Sequence, residues 1–229
     1  MGLFAIADLH FGFSVEKPMD IFGENWKNHS QKIIDNWNRL ITEEDMVLLP
    51  GDLSWGMRLE EAAADLDVIY KLPGRKILLG GNHDYWWKSS SKLEGRYPGM
   101  RFLKNSFDTY EDWTICGTRG WICPNDRFFT EQEKKIYERE QVRLRLSLDA
   151  AMRAGAKKIL LMMHFPPMND KQEDCAFQEI FKEYPIERIV YGHLHGVESH
   201  AAAFEGERYG VKYELVSADY LDFVPKRIL

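Results

Sequence analysis

Cysteine is scarce. Cys116, Cys123 and Cys175 are the three in 229 residues, an odd number with no C-x-x-C and no regular spacing. That excludes a disulfide framework and makes a reducing cytoplasm the expected compartment. Long apolar runs are absent as well, so no membrane span is expected. The opening MGLFAIADLH lacks a basic n-region, and Asp8 interrupts its apolar stretch early, so a signal peptide is not expected either. Ile6 stands where a myristoylation signal needs Ser or Thr. No Lys/Arg-rich run occurs, and the net charge is −6. An extended nucleic-acid groove is therefore excluded, although a local site inside an acidic protein can still take a nucleotide. There is no repeat, no low-complexity linker and no composition break. A single domain over residues 1–229 is expected.

What is present is ordinary core material, 45% hydrophobic. In the first third, short apolar runs alternate with helical stripes. LFAIA, MVLLP (Met46 to Pro50) and KILLG (Lys76 to Gly80) read as strands. Trp26 to Ile41 and Leu59 to Leu72 read as helices. Strand, helix, strand, helix, strand implies right-handed crossovers and a parallel sheet. Strand-like pieces near Phe102-Leu103 and Trp113 to Cys116 point to an antiparallel insertion or a second sheet. Glu131 to Ala154 reads as a long helix with Ile136, Val142, Leu144, Leu148 and Met152 available for burial, its charges forming a solvated face with helical ion pairs. KKILLMMH and ERIVYGH are further strands, with a short helix from Phe177 to Glu183 between them. The tail reads as a hairpin, Ala201 to Phe204 against Val211 to Ser217, turning at Glu205-Gly206-Glu207.

The polar residues fall where these strands end. The first ends in Asp8-Leu9-His10, the second in Gly51-Asp52, the third in GGNHDYWW (Gly80 to Trp87), and later ones in His164 and His193-Leu194-His195. Five of the seven histidines lie at strand ends. In an α/β sheet the carboxyl ends of the strands share one edge, where ligands bind. These residues are dispersed in sequence and should converge in space. Asp, Asn and His without Cys suit Mn, Fe, Zn or Co, with the oxygen donors favouring Mn or Fe. They are too many for one four-coordinate zinc. Two divalent ions about 3.5–4 Å apart, sharing one carboxylate, would use them all. Gly51, Gly81 and Gly192 would let the backbone turn sharply beside the ions.

DLH, GD, GNHD, a lone His before FPP, and GHLH, in this order from Asp8 to His195, resemble the calcineurin-like metallophosphoesterases. The resemblance implies an α/β fold, a four-layer α/β/β/α sandwich of two mixed sheets flanked by helices. It implies that Asp8, His10 and His195 hold one metal, that Asn82, His164 and His193 hold a second, and that Asp52 bridges them. A hydroxide between the ions would attack phosphorus in line with the leaving oxygen. His83, with no metal to bind, would serve as the proton donor to the leaving group.

Other residues have plainer readings. His29 and His200 read as surface or structural. Asp84 reads as a cap for the next helix. Trp55, Trp86, Trp87 and Trp121 can stack on a substrate ring or pack the core around the site, and core is expected for at least two of them. Arg119, in GTRGW at a strand end, is the candidate for binding substrate phosphate, with a surface salt bridge as the alternative. Arg58 and Arg127 are weaker candidates.

Departures from relatives narrow the activity. GDLSWG and GNHD differ from the GD-x-x-DRG and GNHE of the serine/threonine protein phosphatases and the related dinucleoside polyphosphatases. The lipid A pathway pyrophosphatase has Arg where His83 stands. The expected substrate is a small phosphodiester, a nucleotide or another organic phosphate. A phosphomonoesterase with the same site is the alternative, followed by a non-catalytic scaffold such as the retromer subunit of this fold. The H-x-H-x-D-H cluster of metallo-β-lactamases is not found.

Overall fold

The structure is a computed structural model, and it describes residues 1–125 and 129–229. Arg127 lies outside the described residues. The chain runs β1 (Leu3–Ala5), α1 (His29–Leu40), β2 (Met46–Pro50), α2 (Leu59–Lys71), β3 (Arg75–Leu79), α3 (Ser90–Arg96), β4 (Met100–Phe102) and β5 (Phe107–Tyr110). It continues through β6 (Trp113–Thr118), α4 (Glu131–Arg153), β7 (Ile159–Met163), α5 (Ala176–Phe181) and β8 (Ile186–Tyr191). It closes with α6 (Gly196–Ala202), β9 (Gly206–Arg208), β10 (Val211–Leu215) and β11 (Lys226–Arg227).

Two mixed sheets form. One has five strands in the order β11-β1-β2-β3-β4 and the other six in the order β5-β6-β7-β8-β10-β9. The period-2 alternation of each central strand explains how they stack. Val47 and Leu49 of β2 face one apolar core with Ile33 and Trp37 of α1 and Leu66 and Ile69 of α2. Met46 and Leu48 face the other way, into a core shared with Leu160 and Met162 of β7. Leu161 and Met163 then face a third core with Leu144 and Leu148 of α4 and Phe177 of α5. Three apolar cores between helix, sheet, sheet and helix are the expected four layers. Central strands buried on both faces are why their sequences are continuous apolar runs.

The middle of the chain divides between the sheets. β4 joins the first sheet parallel to β3, while β5 and β6 form an antiparallel hairpin at the edge of the second. In the tail, the segment expected as a strand at Ala201 to Phe204 is instead the helix α6 and its exit. The hairpin is β9–β10, and it turns at Tyr209-Gly210, both left-handed with φ of 54° and 76°. That is the geometry a tight two-residue hairpin needs.

α4 begins at a capping box, in which Glu133 N–H donates to Thr130 Oγ1 and Thr130 N–H donates to Glu133 Oε2. Its buried face carries Tyr137, Glu140, Leu144, Ser147, Leu148 and Ala151. Val142 and Met152, expected inside, are exposed. Val142 sits two positions from Leu144, about 200° around the helix. The charged face is also less solvated than expected, since Glu140 is fully buried.

Two of the three free cysteines meet: Cys123 Sγ and Cys175 Sγ lie 2.6 Å apart. No helix among the described residues is long and apolar enough to cross a membrane.

Candidate metal centre

Five strands of the two sheets, β1, β2, β3, β7 and β8, deliver their following residues to one edge. Two clusters result, with the ligand atoms inside each all within 4.8 Å of one another: Asp8, His10 and His195, and Asp52, His164 and His193. Asn82 joins the second, its Oδ1 2.7 Å from His164 Nε2. Asp52 Oδ2 faces both clusters, 3.4 Å from His164 Nε2 and 3.8 Å from His10 Nε2. His83 stands beside them with Nε2 4.0 Å from the same oxygen, and its side chain is 36% exposed. All seven sequence-derived ligand candidates and His83 are thus brought together.

The backbone there is unusual. Asp8, His10, Asp52 and His193 have left-handed φ of 61°, 46°, 53° and 74°. Outside glycine such conformations are uncommon and carry strain, and they cluster where function over-determines the backbone. Two glycines allow the close packing. A Cβ at Gly81 would fall on the Asp52 carboxylate and backbone, and one at Gly192 would come within 2.5 Å of Asp8 Oδ2 and Ala7 Cβ.

Two buried carboxylates hold these turns in place. Asp84 accepts backbone N–H groups from Gly81 and Asp52, each at 2.8 Å, and from Leu53 at 3.0 Å, with Trp86 Nε1–H at 3.1 Å. It ties the Asp52 turn to the Asn82 turn. The helix-cap reading of Asp84 is therefore corrected: α3 starts later, with Ser89 at its N-cap. Asp219 was missed by the sequence reading. Its Oδ1 lies 2.9 Å from His195 Nδ1 and its Oδ2 accepts Gly196 N–H at 3.0 Å. It follows β10, another strand end on the same edge, so the strand-end rule carried one strand further would have found it. His200 Nε2 is 3.3 Å from Asp219 Oδ2, and His29 Nε2 is 3.1 Å from the His10 carbonyl oxygen. Both are structural, as expected.

Charge is sharply divided within the cluster. Burial works against a charged His164, but the charge and hydrogen bond of Asp52, and then the charge of Asp8, outweigh it and raise the ring to about 9. His193 goes the other way: burial and the His164 charge lower it to about 3. Burial likewise lowers His10 well below its ordinary value and lowers His83 against the pull of Asp52. Burial would raise Asp52, but the charges of His164, His10 and His83 hold it below the usual carboxylate range. Neutral imidazole and ionised carboxylate are the ligand forms that a metal requires.

The donor set fits divalent ions. It is all nitrogen and oxygen. His10 Nε2 and His195 Nε2 face each other at 3.3 Å. Asp8 Oδ1 and His10 Nδ1 are buried with no hydrogen-bond partner, a costly state that a cation beside Asp8 Oδ1 would relieve at that oxygen.

The surrounding aromatics divide. Trp86 is core, and Trp87 packs against that core. Trp55 stacks on His10 at 4.6 Å and leans on His83 at 4.5 Å. With Trp26 and Phe22 it lines a cavity of about 200 Å³ over His10, Asp52 and His83. Trp121 packs on Phe165 at 4.8 Å. Arg119 is tied to the site through its backbone, its carbonyl accepting the N–H groups of His164 and Phe165. Its guanidinium lies 4.7 Å over Trp121 and 3.4 Å from the buried Glu140, with Nε buried and unpaired. The salt-bridge alternative is met in a partly buried form, with Glu140 as the partner. Arg119 lines a second cavity, about 200 Å³, with Lys104 and Arg143 behind the Gly80-Gly81 turn. Arg58 is exposed at the start of α2.

Comparison with known proteins agrees with this arrangement. The family model for calcineurin-like phosphoesterase matches residues 1–197. A probable cyclic nucleotide phosphodiesterase of Vesicomyosocius okutanii is 25% identical over 92% of this chain and 82% of its own length. The gene 66 protein of Mycobacterium phage L5 is 22% identical over 82% of this chain and 75% of its own. Among solved structures, phosphopantetheinyl hydrolase from Mycobacterium tuberculosis aligns over 100% of this chain and 95% of its own, with a TM-score of 0.58 and 16% identity, a likeness of fold.

Proposed function

The chain belongs to the calcineurin-like phosphoesterase family, a metal-dependent hydrolase family, and from that premise we propose that it hydrolyses a small phosphodiester with two divalent ions. One observation carries the reading: two ligand clusters meet at one shared carboxylate oxygen, Asp52 Oδ2, with a histidine outside both clusters 4.0 Å from it. Asp8, His10 and His195 would hold one ion, Asn82, His164 and His193 the other, and Asp52 both. The oxygen and imidazole donors favour Mn, with Fe, Zn or Co able to substitute. When bound, the ions supply charge against the phosphoryl oxygens and lower the pKa of water between them.

The protein's own residues do the rest. Asp84 holds the Asp52 and Asn82 turns together and Asp219 holds the His195 ring, so little reorganisation accompanies reaction. His83, half-buried over the cleft, donates a proton to the departing oxygen. Its lowered pKa makes it the stronger acid when it carries that proton. Arg119 binds a remote phosphate oxygen, a role supported by its place with Lys104 and Arg143 in the wall of the cavity behind Gly80-Gly81. Trp55, partly exposed beside His83, lines the aromatic cavity on the leaving-group side, which suits a nucleoside or another planar group. The similarity to a protein named as a probable cyclic nucleotide phosphodiesterase supports a nucleotide substrate. We place the protein, as one domain, in a reducing cytoplasm, as its free cysteines support.

The test is hydrolysis of bis(p-nitrophenyl) phosphate beside p-nitrophenyl phosphate, with Mn²⁺ added and chelator as control. Faster diester cleavage that chelator abolishes is expected. Faster monoester cleavage would replace the reading with a phosphomonoesterase. Turnover of neither, with metal analysis showing no bound ions, would leave the fold as a binding scaffold.

A further inference from the structure

A third cavity, about 230 Å³, opens beside His193, and His83 is not among its walls. Its walls are Phe165, Pro167, Met168, Leu194, Ala202 and Phe204, with Cys123 at its back. Among the described residues the lining contains no lysine or arginine, and Asp170 is the charged one. It contrasts with the cavity behind Gly80-Gly81, which carries Lys104, Arg119 and Arg143. An anionic group has nothing to pair with here, and burying it would be costly.

What ties this slot to the chemistry is His193. The ring lines both this cavity and the aromatic one over His83. On the slot side Phe165 packs against it, ring centres 4.0 Å apart. A phosphoryl group seated at the metal centre therefore has two cavities meeting beside it at His193. One contains the proton donor and takes the leaving oxygen. The other begins at His193 and, among the described residues, has no second histidine in its walls.

We propose that the slot binds the ester group that stays on phosphorus, and that this group is uncharged and apolar, an aryl or alkyl moiety. The inference rests on the phosphodiesterase reading and deepens it. Because the leaving oxygen and the retained ester group occupy separate cavities, the substrate is an open-chain diester and not one whose two ester oxygens close a ring. The slot is a specificity determinant that a monoester leaves empty.

Three substrates with one leaving group test this: bis(p-nitrophenyl) phosphate, methyl p-nitrophenyl phosphate and p-nitrophenyl phosphate. They retain an aryl group, a methyl group and no ester group. Ala202→Trp, at the half-exposed end of α6, fills the slot without touching a ligand, and Ser199→Trp on the same helix is the second variant. Either should lower kcat/KM for the bis-aryl diester by roughly tenfold or more. The methyl diester and the monoester should stay within about twofold, since neither fills the slot. Equal loss on all three, or no loss on the bis-aryl diester in either variant, overturns the proposal.

Calorimetry on the metal-loaded protein reads the slot without turnover. Methyl(phenyl)phosphinate should bind roughly tenfold tighter than dimethylphosphinate to the wild type, and Ala202→Trp should abolish the difference. Equal wild-type affinities overturn the slot assignment. If the wild type hydrolyses none of the three esters yet binds the phenyl phosphinate tighter, the phosphodiesterase reading fails and the slot stands.

Discussion

Replacing Asp84 with alanine should unfold the connection between the Asp52 turn and the Asn82 turn. Five donors point at its carboxylate: the N–H groups of Gly81, Asp52, Leu53 and Ser54 and the indole N–H of Trp86, at 2.8 to 3.4 Å. Alanine leaves all five without this acceptor in a site where Asp84 is 5% exposed. Each orphaned donor costs about 1 kcal/mol at the low end, so the variant should lose about 3–5 kcal/mol, less whatever a water in the new cavity restores. That is a large part of the about 5–15 kcal/mol that a domain has. Asparagine keeps one acceptor oxygen but turns an NH₂ toward the remaining donors, so about 2 kcal/mol is expected. The assay is urea unfolding in chelator, so that metal binding does not enter, with stability read from the midpoint at constant slope. The Asn variant gives a usable number even if the Ala variant does not fold. An Ala cost below about 1 kcal/mol would refute the reasoning, as would an Asn variant as stable as the wild type.

Other outcomes follow from the same geometry. His83→Ala should retain both ions, by metal analysis, while losing most turnover; loss of metal would contradict its separation from the ligands. Asp52→Asn should reduce the occupancy of both ions together, because its Oδ2 faces both clusters, and unchanged stoichiometry would place the bridge elsewhere. Asp219→Ala should weaken metal affinity by roughly tenfold to a hundredfold, by freeing the His195 ring, with Asp219→Asn recovering part of it. Competition with a chelating dye measures this, and an unchanged affinity would make Asp219 merely structural.

The seven ligand candidates were legible because parallel strands converge at their carboxyl ends, whatever loops separate them. A reader needs only to find the strands, and continuous runs such as MVLLP and ILLMM are hard to mistake. The two supporting carboxylates were not legible in the same way. Asp84 precedes a helix, where an aspartate is ordinarily a cap, and only the structure shows its oxygens turned inward onto four backbone N–H groups. Asp219 follows a strand whose neighbourhood reads as a tail hairpin, and the intervening AAAF is ambiguous between strand and helix. Glu140 was misread for a related reason. On a helix this rich in charge one glutamate looks like any other, and its burial depends on Thr118, Arg119 and Arg143 arriving from elsewhere.

The left-handed backbone at Asp8, His10, Asp52 and His193 was illegible for a deeper reason. A φ above zero at a non-glycine residue is not a local preference; the surroundings impose it. Here they do so through paired contacts: His193 N–H donates to Asp8 Oδ2 at 2.8 Å, and His83 N–H to Asp52 Oδ1 at 2.9 Å. In each pair one carboxylate oxygen anchors the next strand's turn, which leaves the other oxygen facing the centre. Asp8 Oδ1 is the buried atom with no partner, and Asp52 Oδ2 is the one that both clusters share. The fold therefore uses half of each carboxylate to hold the strained turns and presents the other half to a cation. Strain and ligand availability thus have one cause, and a substitution that relaxed the backbone would also return the free oxygen to the protein.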